Sequence, residues 1–201
     1  MLHGSKLFSD GGYDAAVYAI DHKMVDVNEQ FRGGMTPLII AAKNNRIDLV
    51  KYLLYRGADI EKKDDRGRTA LLEAAKYGNT HIVKILINND ADVNTTDDEN
   101  NSPLGLASYA GIGEMDNYIE IVKILINSGA DVDIIHVSGQ TPLMIASSRD
   151  NSEIVKILLD YGADIDAVDM KGHSARDYAR KFERKHKYSD VIKILEKHKR
   201  E

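Results

Sequence analysis

The sequence predicts an all-α protein built from helical repeats, and three observations support that prediction. A motif of Thr or Ser, then Pro or Ala, then usually Leu, begins at Thr36, Thr69, Ser102, Thr141 and Ser174. These starts are separated by 33, 33, 39 and 33 residues, and an Ala-Asp-Val/Ile signature follows each of the first four. Two short amphipathic helical patterns lie between motif and signature, so each period predicts a pair of helices.

Each element of a period has a physical reason. The Thr or Ser hydroxyl caps a helix start, and Pro at the first helical position loses no hydrogen bond. In the third period, Leu71 and Leu72 predict the buried side of the first helix, while Ile82 and Leu86 predict one face of the second. A residue with left-handed backbone should then end each second helix. The residues in that slot are Gly57, Asp90, Gly129 and Gly162.

The third period resembles an ankyrin repeat. The residues that carry the resemblance are Gly67, Thr69, Leu71, Ala74-Ala75, Gly78, Ile82-Val83, Leu86 and Ala91-Asp92-Val93-Asn94. The resemblance covers essentially the whole chain and implies an ankyrin-repeat solenoid, with two antiparallel helices and a β-hairpin-like loop in each repeat. It predicts a single domain over 1–201. Its six repeats should span about 1–30, 31–63, 64–96, 97–135, 136–168 and 169–201.

The first and last repeats depart from the pattern. His3-Gly4-Ser5 stands where the capping motif would sit in the first, and Arg176 replaces the usual Leu in the last. A terminal repeat packs on one side and is wetted on the other. We therefore expect 1–30 and 169–201 to be the two capping repeats of a complete array.

The fourth repeat carries a six-residue insertion, which falls within 112–120 and contains Met115 and Tyr118. One interpretation is a tolerated loop whose apolar side chains fold back on the helices. The other is an element that contacts a partner, with Met115 and Tyr118 as candidate contact residues. Both interpretations remain open at this stage.

The residue types needed for common catalytic and metal sites do not occur in the required patterns. The chain has no cysteine, and none of its seven histidines forms the His-Glu-x-x-His pair of a zinc hydrolase. Phosphate-loop and nucleophile-elbow motifs do not occur. Asp59, Asp92, Asp131 and Asp164 recur with the period, which favours a structural role for them. We therefore predict a non-enzyme with no catalytic, cofactor-binding or metal-binding residues.

Charge is distributed unevenly along the chain. The net charge is −5, which disfavours general attraction to nucleic acid. Residues 97–135 contain one Lys or Arg against eight Asp or Glu. That excess either selects a basic partner segment or only keeps the array soluble. Residues 169–201 contain eleven Lys or Arg against six Asp or Glu, which leaves contact with nucleic acid or an anionic membrane as an alternative function.

The resemblance implies a contact face made of the loop tips and the exposed side of each first helix. Tyr77 and Tyr109 fall in this face, and aromatic and Arg anchors are typical of protein interfaces. The alternative is that these tyrosines only cover neighbouring helices. The candidate partner-binding residues are Arg32, Met35, Lys43, Arg66, Arg68, Lys76, Tyr77, Glu99, Asn101, Tyr109, Val137, Gln140, Arg149 and Phe182.

These observations together predict a protein–protein interaction module or scaffold that binds a protein partner through its concave face. The alternatives are an adaptor whose basic last repeat contacts nucleic acid or membrane, and an enzyme inhibitor that uses the same face. No run of about 20 apolar residues predicts a membrane span. A cytoplasmic monomer is favoured, and export by a removed signal or as a secreted effector stays open.

Overall fold

The computed structural model describes residues 4–9, 12–109, 115–186 and 189–198. Within these ranges the chain forms twelve α-helices and no strand, apart from an isolated bridge between Val168 and Ser174. The helices are α1 Gly4–Ser9, α2 Tyr13–Asp21, α3 Pro37–Lys43, α4 Ile47–Tyr55, α5 Ala70–Lys76, α6 Thr80–Ile87, α7 Pro103–Ser108, α8 Met115–Asn127, α9 Pro142–Ser148, α10 Ser152–Asp160, α11 Ala175–His186 and α12 Asp190–His198. The predicted all-α class is confirmed.

The first helix of each inner repeat starts at its predicted cap. The hydroxyls of Thr36 and Ser102 accept hydrogen bonds from the backbone N–H three residues on, at 3.2 and 3.0 Å. In the last repeat, Ser174 and Asp177 cap each other. The Ser174 N–H donates to the Asp177 carboxylate at 2.9 Å, and the Asp177 N–H donates to the Ser174 hydroxyl at 3.4 Å. These contacts satisfy N–H groups that a helix start leaves without intrahelical partners.

Helix pairs stack within two compact units, Met1–Asp98 and Glu99–Glu201. In the N-terminal unit, α3 packs against α1, α4 and α5, and α5 packs against α6. In the C-terminal unit, α9 packs against α7, α10 and α11. The core is aliphatic. The leucines of the capping motif are fully buried in both units: Leu38, Leu71, Leu104 and Leu143.

The predicted left-handed positions are observed. Asp90 has φ of 65° in the slot where three other repeats have Gly57, Gly129 and Gly162. Asn100, in the loop before the Ser102 cap, is a further left-handed residue with φ of 53°. Gly67 has φ of 72°, and a Cβ atom there would also lie only 2.9 Å from the backbone nitrogen of Asp98. Glycine at 67 therefore satisfies both a backbone conformation and a close approach of the next loop.

The loops before the first helices, here called fingers, are residues 31–35, 64–68, 97–101, 136–140 and 169–173. Successive fingers within a unit are joined by backbone hydrogen bonds. The Asp65 N–H donates to the Gly33 carbonyl at 3.0 Å, and the Val137 N–H donates to the Glu99 carbonyl at 3.3 Å. These bonds fix the spacing of neighbouring finger tips.

The periodic aspartates hold the turns that follow the second helices. The carboxylates of Asp59 and Asp164 each accept a hydrogen bond from the N–H two residues on, at 3.1 and 2.9 Å. Their own N–H groups donate to the preceding repeat, Asp59 to Asn28 Oδ1 at 2.7 Å and Asp164 to Asp133 Oδ1 at 3.0 Å. This arrangement gives the aspartates the structural role that their periodicity predicts.

Part of the insertion is helical. Helix α8 has thirteen residues, against eight in α6 and nine in α10, and its extra turn begins at Met115. The expectation of a loop is therefore wrong for 115–120, because these residues extend the second helix toward its N-terminus. The remaining residues of the insertion lie outside the described ranges.

Candidate functional site

In the N-terminal unit, Tyr77 is the centre of a cluster of basic side chains. Tyr77 is the C-cap residue that follows α5, and 42% of its surface is exposed. The ammonium nitrogens of Lys43 and Lys76 lie 5.5 and 5.9 Å from its ring centroid. These two lysines occupy the last turns of α3 and α5, where positive charge is favoured by the helix dipole. Stacking of the two repeats therefore brings both cations to one aromatic ring.

Arg68, another predicted contact residue, is held inside its own finger. Its guanidinium donates to Asp64 Oδ2 at 2.6 and 3.0 Å and lies 2.5 Å from Glu73 Oε1. The Glu73 side chain is buried at a helix position where the repeats on either side have Ile40 and Leu106. A buried carboxylate needs a cation, and Arg68 supplies it. Only 16% of the Arg68 side chain remains exposed, so little of it can reach a partner.

The pKa values of this ion cluster reflect its pairing. Burial alone would raise the pKa of Asp64, but hydrogen bonds from Arg68 and Arg66 outweigh burial, and the pKa lies below its ordinary value. Burial would likewise lower the pKa of Arg68. The hydrogen bond to Asp64 and the charges of Glu73, Asp64 and Tyr77 reverse that effect and raise it. Asp64 and Arg68 therefore stay ionised in the folded chain.

The other predicted finger residues of this unit differ in exposure. Arg32 and Arg66 are exposed, while Met35 is half-buried. Both backbone polar groups of Arg66 are hydrogen-bonded. Its N–H donates to Asp64 Oδ1 at 2.9 Å, and its carbonyl accepts from the Asp98 N–H at 3.1 Å. The exposed side chain of Arg66 thus projects from a backbone held by hydrogen bonds.

In the C-terminal unit, the structure brings five predicted contact residues around one cavity of about 280 Å³. The lining residues are Glu99, Asn101, Tyr109, His136, Val137, Ser138 and Gln140. Six of them come from two successive fingers, and Tyr109 is the C-cap residue that follows α7. The backbone bond between Val137 and Glu99 holds the two fingers side by side. The cavity is therefore a product of repeat stacking, and no single repeat could form it.

Tyr109 forms an aromatic wall of this cavity. Its ring is 43% exposed, and the guanidinium carbon of Arg149 lies 4.8 Å from the ring centroid. Arg149 is the C-cap residue that follows α9, in the next repeat. The contact orients the ring by a cation–π interaction. Val137 is 52% exposed and adds an apolar surface beside the ring.

His136 also lines the cavity and was not among the predicted contact residues. It is buried, and its Nδ1 atom lies 3.1 Å from Asn101 Oδ1. Its ring occupies the space that a Cβ atom of Gly105 would need. The sequence could have indicated this contact, because the positions equivalent to Gly105 in other repeats are Ile39, Leu72 and Met144. A glycine among large apolar residues indicates that another side chain fills the site.

Next to this cavity, a network of hydrogen bonds holds the last finger. The Tyr178 hydroxyl donates to Asp169 Oδ2 at 2.7 Å, and the Asp169 Oδ1 atom accepts from the N–H groups of Lys171 and His173, both at 2.8 Å. The bonds from His173 and Tyr178 lower the pKa of Asp169 to about 2. Burial and the bond to Asp169 raise the pKa of Tyr178 to about 12.

Comparison with known protein families decides the family. The family model for ankyrin repeats matches three times, over residues 7–64, 57–135 and 114–200. The chain belongs to the ankyrin repeat family. A 55-residue segment, 27% of the chain, is 42% identical to alpha-latrocrustotoxin-Lt1a of Latrodectus tredecimguttatus. That match spans only 4% of the length of the toxin.

Ankyrin repeats are generally protein–protein interaction modules, and they are generally non-enzymatic. In the described part of the chain, no group of three or more His, Asp or Glu side chains is placed to hold a metal ion. None of the described helices is long and apolar enough to cross a membrane. The family membership therefore implies that a protein partner is the ligand class to consider.

Among the remaining predicted residues, Phe182 and Tyr118 are not part of the lining of the cavity in the C-terminal unit. Phe182 is half-buried in α11. Tyr118 is half-buried in α8, and the side chain of Met115 lies outside the described part of the structure. These placements leave the partner-contact interpretation of the insertion as a prediction.

A tyrosine cluster on the N-terminal ankyrin repeats was missed by the sequence analysis. Tyr13, Tyr52 and Tyr55 line a cavity of about 470 Å³ together with Asp48 and Lys51. The rings of Tyr13 and Tyr52 pack edge to face, and the Tyr52 hydroxyl donates to Asp21 Oδ1 at 2.6 Å. The signal was the spacing of 52 and 55, which places both tyrosines on one side of α4.

Proposed function

We propose that this chain is a non-enzymatic module that binds a protein partner through its fingers and first helices. The observation that carries the proposal is the cavity of the C-terminal unit. Its lining includes Glu99, Asn101, Tyr109, Val137 and Gln140, which were selected from the sequence on independent grounds. Concave sites with an apolar wall and a few polar groups are typical of ligand-binding surfaces.

The cavity suits an extended segment of a partner. Tyr109 and Val137 offer apolar surface. Asn101 and Gln140 add polar side chains that are held in place, since Asn101 Oδ1 lies 3.1 Å from His136 Nδ1 and Gln140 Oε1 accepts from the Ser138 hydroxyl at 2.9 Å. Their positions are set before binding by the inter-finger bonds and by Arg149 on the Tyr109 ring. Little ordering entropy is then lost when the partner binds.

The charge of this region favours a basic segment. Glu99 places a carboxylate on the rim of the cavity, and the fourth repeat carries eight acidic residues against one basic. The fifth repeat, over 136–168, carries five against two. Opposite charge on the partner speeds encounter, and like charge opposes it. We therefore expect Lys or Arg in the segment that binds here.

A peptide selection tests both parts of this proposal. Random dodecamer peptides displayed on phage are selected on the immobilised chain, and the affinities of the selected peptides are measured as free synthetic peptides. We expect enrichment of Lys and Arg. The double variant Tyr109→Ala/Val137→Ser should bind the selected peptides at least about tenfold more weakly, because central aromatic anchors dominate interface energy.

A matched control separates a local effect from a general one. Tyr161 and Val168 lie in the same unit, are 49% and 58% exposed, and do not line the cavity. Tyr161→Ala/Val168→Ser should change affinity less than about twofold. Unchanged binding by the Tyr109/Val137 variant would contradict the site. Selection of peptides without basic residues would contradict the charge preference. Tighter binding of an oligonucleotide, with steep salt dependence, would favour the adaptor alternative.

A further inference from the structure

A second surface of the N-terminal unit lies on the second helices, outside the fingers and first helices. Tyr13 is the first residue of α2, and Tyr52 and Tyr55 belong to α4; with Asp48 and Lys51 they line the cavity of about 470 Å³. This cavity is called the tyrosine cavity below. Helices α2 and α4 pack against each other, so stacking of the first two repeats brings these residues together. The function proposed above assigns no role to them.

The ring of Tyr52 is held in place by its neighbours. Its hydroxyl donates to Asp21 Oδ1 at 2.6 Å and accepts from Arg56 at 3.1 Å. Arg56 also forms an ion pair with Asp21, and its guanidinium carbon lies 5.7 Å from the Tyr52 centroid. The ring of Tyr13 packs edge to face on Tyr52, with the two centroids 6.1 Å apart. The Tyr52 ring is therefore oriented before a ligand binds, which reduces the entropy lost on binding.

The remaining polar groups of the tyrosine cavity include three hydrogen-bond donors. Tyr13 and Tyr55 are 41% and 86% exposed. Within the described part of the chain, their hydroxyls and the ammonium group of Lys51 make no hydrogen bond. A ligand that carries many carbonyl acceptors and few N–H donors matches such a surface.

The charge and composition of the lining narrow the ligand class further. Asp48 and Lys51 contribute one carboxylate and one ammonium group, so the lining has no net charge and favours neither a strongly acidic nor a strongly basic segment. The lining contains no aliphatic side chain. Its apolar surface is provided mainly by tyrosine rings, which suit flat, rigid apolar groups.

We propose that the tyrosine cavity is a docking site for a proline-rich segment of a partner protein, bound in the polyproline II conformation. Proline rings of the segment pack on the exposed rings of Tyr13 and Tyr55, and its backbone carbonyls accept hydrogen bonds from their hydroxyls. Proline has no N–H, and polyproline II makes no internal hydrogen bonds, so these carbonyls are available. Aromatic-lined grooves suit such segments because the bound conformation is already formed in the free peptide.

The other possible occupants fit the site less well. The 201 residues include only three prolines, Pro37, Pro103 and Pro142, and each is buried in the first turn of a first helix. A second copy of this chain therefore offers no proline-rich segment. An amphipathic helix uses most of its carbonyls within the helix and would leave the tyrosine donors unused. Both occupants are outcomes of the test.

The test uses the full chain and fluorescein-labelled decaproline, followed by fluorescence anisotropy at about 0.15 M salt, where the screening length is about 8 Å. A labelled glycine–serine decapeptide, which is uncharged and flexible, controls for the dye and for peptide backbone. An unlabelled, uncharged amphipathic helical peptide is the competitor. We expect decaproline to bind saturably, the glycine–serine peptide not to bind, and the helical peptide not to displace decaproline at equal concentration.

The chain offers a matched control variant. Tyr13→Ala/Tyr55→Ala should weaken decaproline binding at least about tenfold, because aromatic anchors dominate binding energy. Tyr18 and Tyr161 are also exposed, at 57% and 49%, but they do not line the cavity. Tyr18→Ala/Tyr161→Ala removes the same number of rings and should change binding less than about twofold.

A single substitution guards against a trivial loss of folding. Tyr55 is 86% exposed, so Tyr55→Ala should retain the fold, as checked by circular dichroism, and should still weaken binding. Tyr13→Phe/Tyr55→Phe keeps both rings and removes both hydroxyls. It should weaken binding about three- to tenfold, as expected for two lost neutral hydrogen bonds. Unchanged binding by this variant would overturn the role of the hydroxyls as donors.

Four results would overturn the proposal as a whole. Decaproline may fail to bind, or the two alanine double variants may lose affinity equally. Displacement of decaproline by the helical peptide would favour a helix as the ligand. A dimer seen by sedimentation velocity that dissociates in Tyr13→Ala/Tyr55→Ala would favour a second copy. Failure here leaves the function proposed above intact, because that proposal is measured with basic peptides and variants of Tyr109 and Val137.

Discussion

At the scale of single residues, Gly105 leaves room for the imidazole ring of His136, which lines the cavity. A helix normally gains stability when Gly is replaced by Ala, by about 0.8–1.0 kcal/mol. Here the added methyl would overlap the buried imidazole of His136, and overpacking of this kind costs about 1–3 kcal/mol. We therefore predict that Gly105→Ala lowers the free energy of unfolding, by about 1 kcal/mol.

Urea denaturation of a double-mutant cycle measures this contact. Gly105→Ala is compared in the natural background and in a His136→Ala background, where the imidazole is absent. The loss should disappear or reverse in the second background, with a coupling of at least about 0.5 kcal/mol. Stabilisation by Gly105→Ala alone would show that the ring moves aside without cost.

At the scale of elements, the finger over 169–173 depends on the ionisation of Asp169. Its folded pKa of about 2 lies below the ordinary value of 3.8, so its stabilising effect is complete above the ordinary value. The effect is lost as the pH falls through 2. Asp169→Asn cannot ionise, so we predict that its stability deficit relative to the natural chain narrows between about pH 5 and pH 2.

Urea midpoints measured across that range test the pH prediction. Asp164→Asn is the control, because its carboxylate is exposed and accepts a bond from the N–H of Asp166 in its own turn. The deficit of the control should be small at every pH. A constant deficit for Asp169→Asn from pH 5 to pH 2 would show that the carboxylate gains nothing from its ionised form in the folded finger.

The elements also show how far the sequence determines the fold and the site. Thr36 and Ser102 cap their helices as predicted, and Asp90 takes the left-handed conformation, because each depends on neighbours within a few residues. Glu99 and Tyr109 were proposed as contact residues from their slots in the repeat. Both line the cavity, and their role in partner binding stays a prediction. The local sequence pattern was sufficient to predict the structure wherever neighbouring repeats share the same pattern.

The sequence analysis missed contacts at positions where one repeat departs from the pattern of its neighbours. Arg68 pairs with Glu73, which stands in the following helix where the neighbouring repeats have the apolar residues Ile40 and Leu106, and this pairing was not foreseen. Gly105 and His136 are 31 residues apart, and their contact is visible only once the repeats are stacked. The helical start at Met115 also escaped prediction, since an insertion interrupts the period.

At the scale of the whole molecule, repeat stacking should make stability depend on position along the array. Leu143 is fully buried in α9, which packs against α7, α10 and α11. Leu195 is equally buried in α12, which packs against α10 and α11 at the end of the described chain. Each Leu→Ala change creates a cavity that costs about 2–5 kcal/mol, but the two cavities should have different consequences.

Hydrogen exchange followed by mass spectrometry distinguishes those consequences. Leu143→Ala weakens contacts on both sides of α9, so amide protection should fall from α7 through α11. Leu195→Ala should lower protection in α11 and α12 and leave α7 to α9 unchanged, because α12 packs against α10 and α11 and can open without the earlier helices. Equal loss of protection along the whole C-terminal unit in both variants would mean that this unit unfolds as one cooperative block. Nearest-neighbour interfaces would then not be what governs its stability.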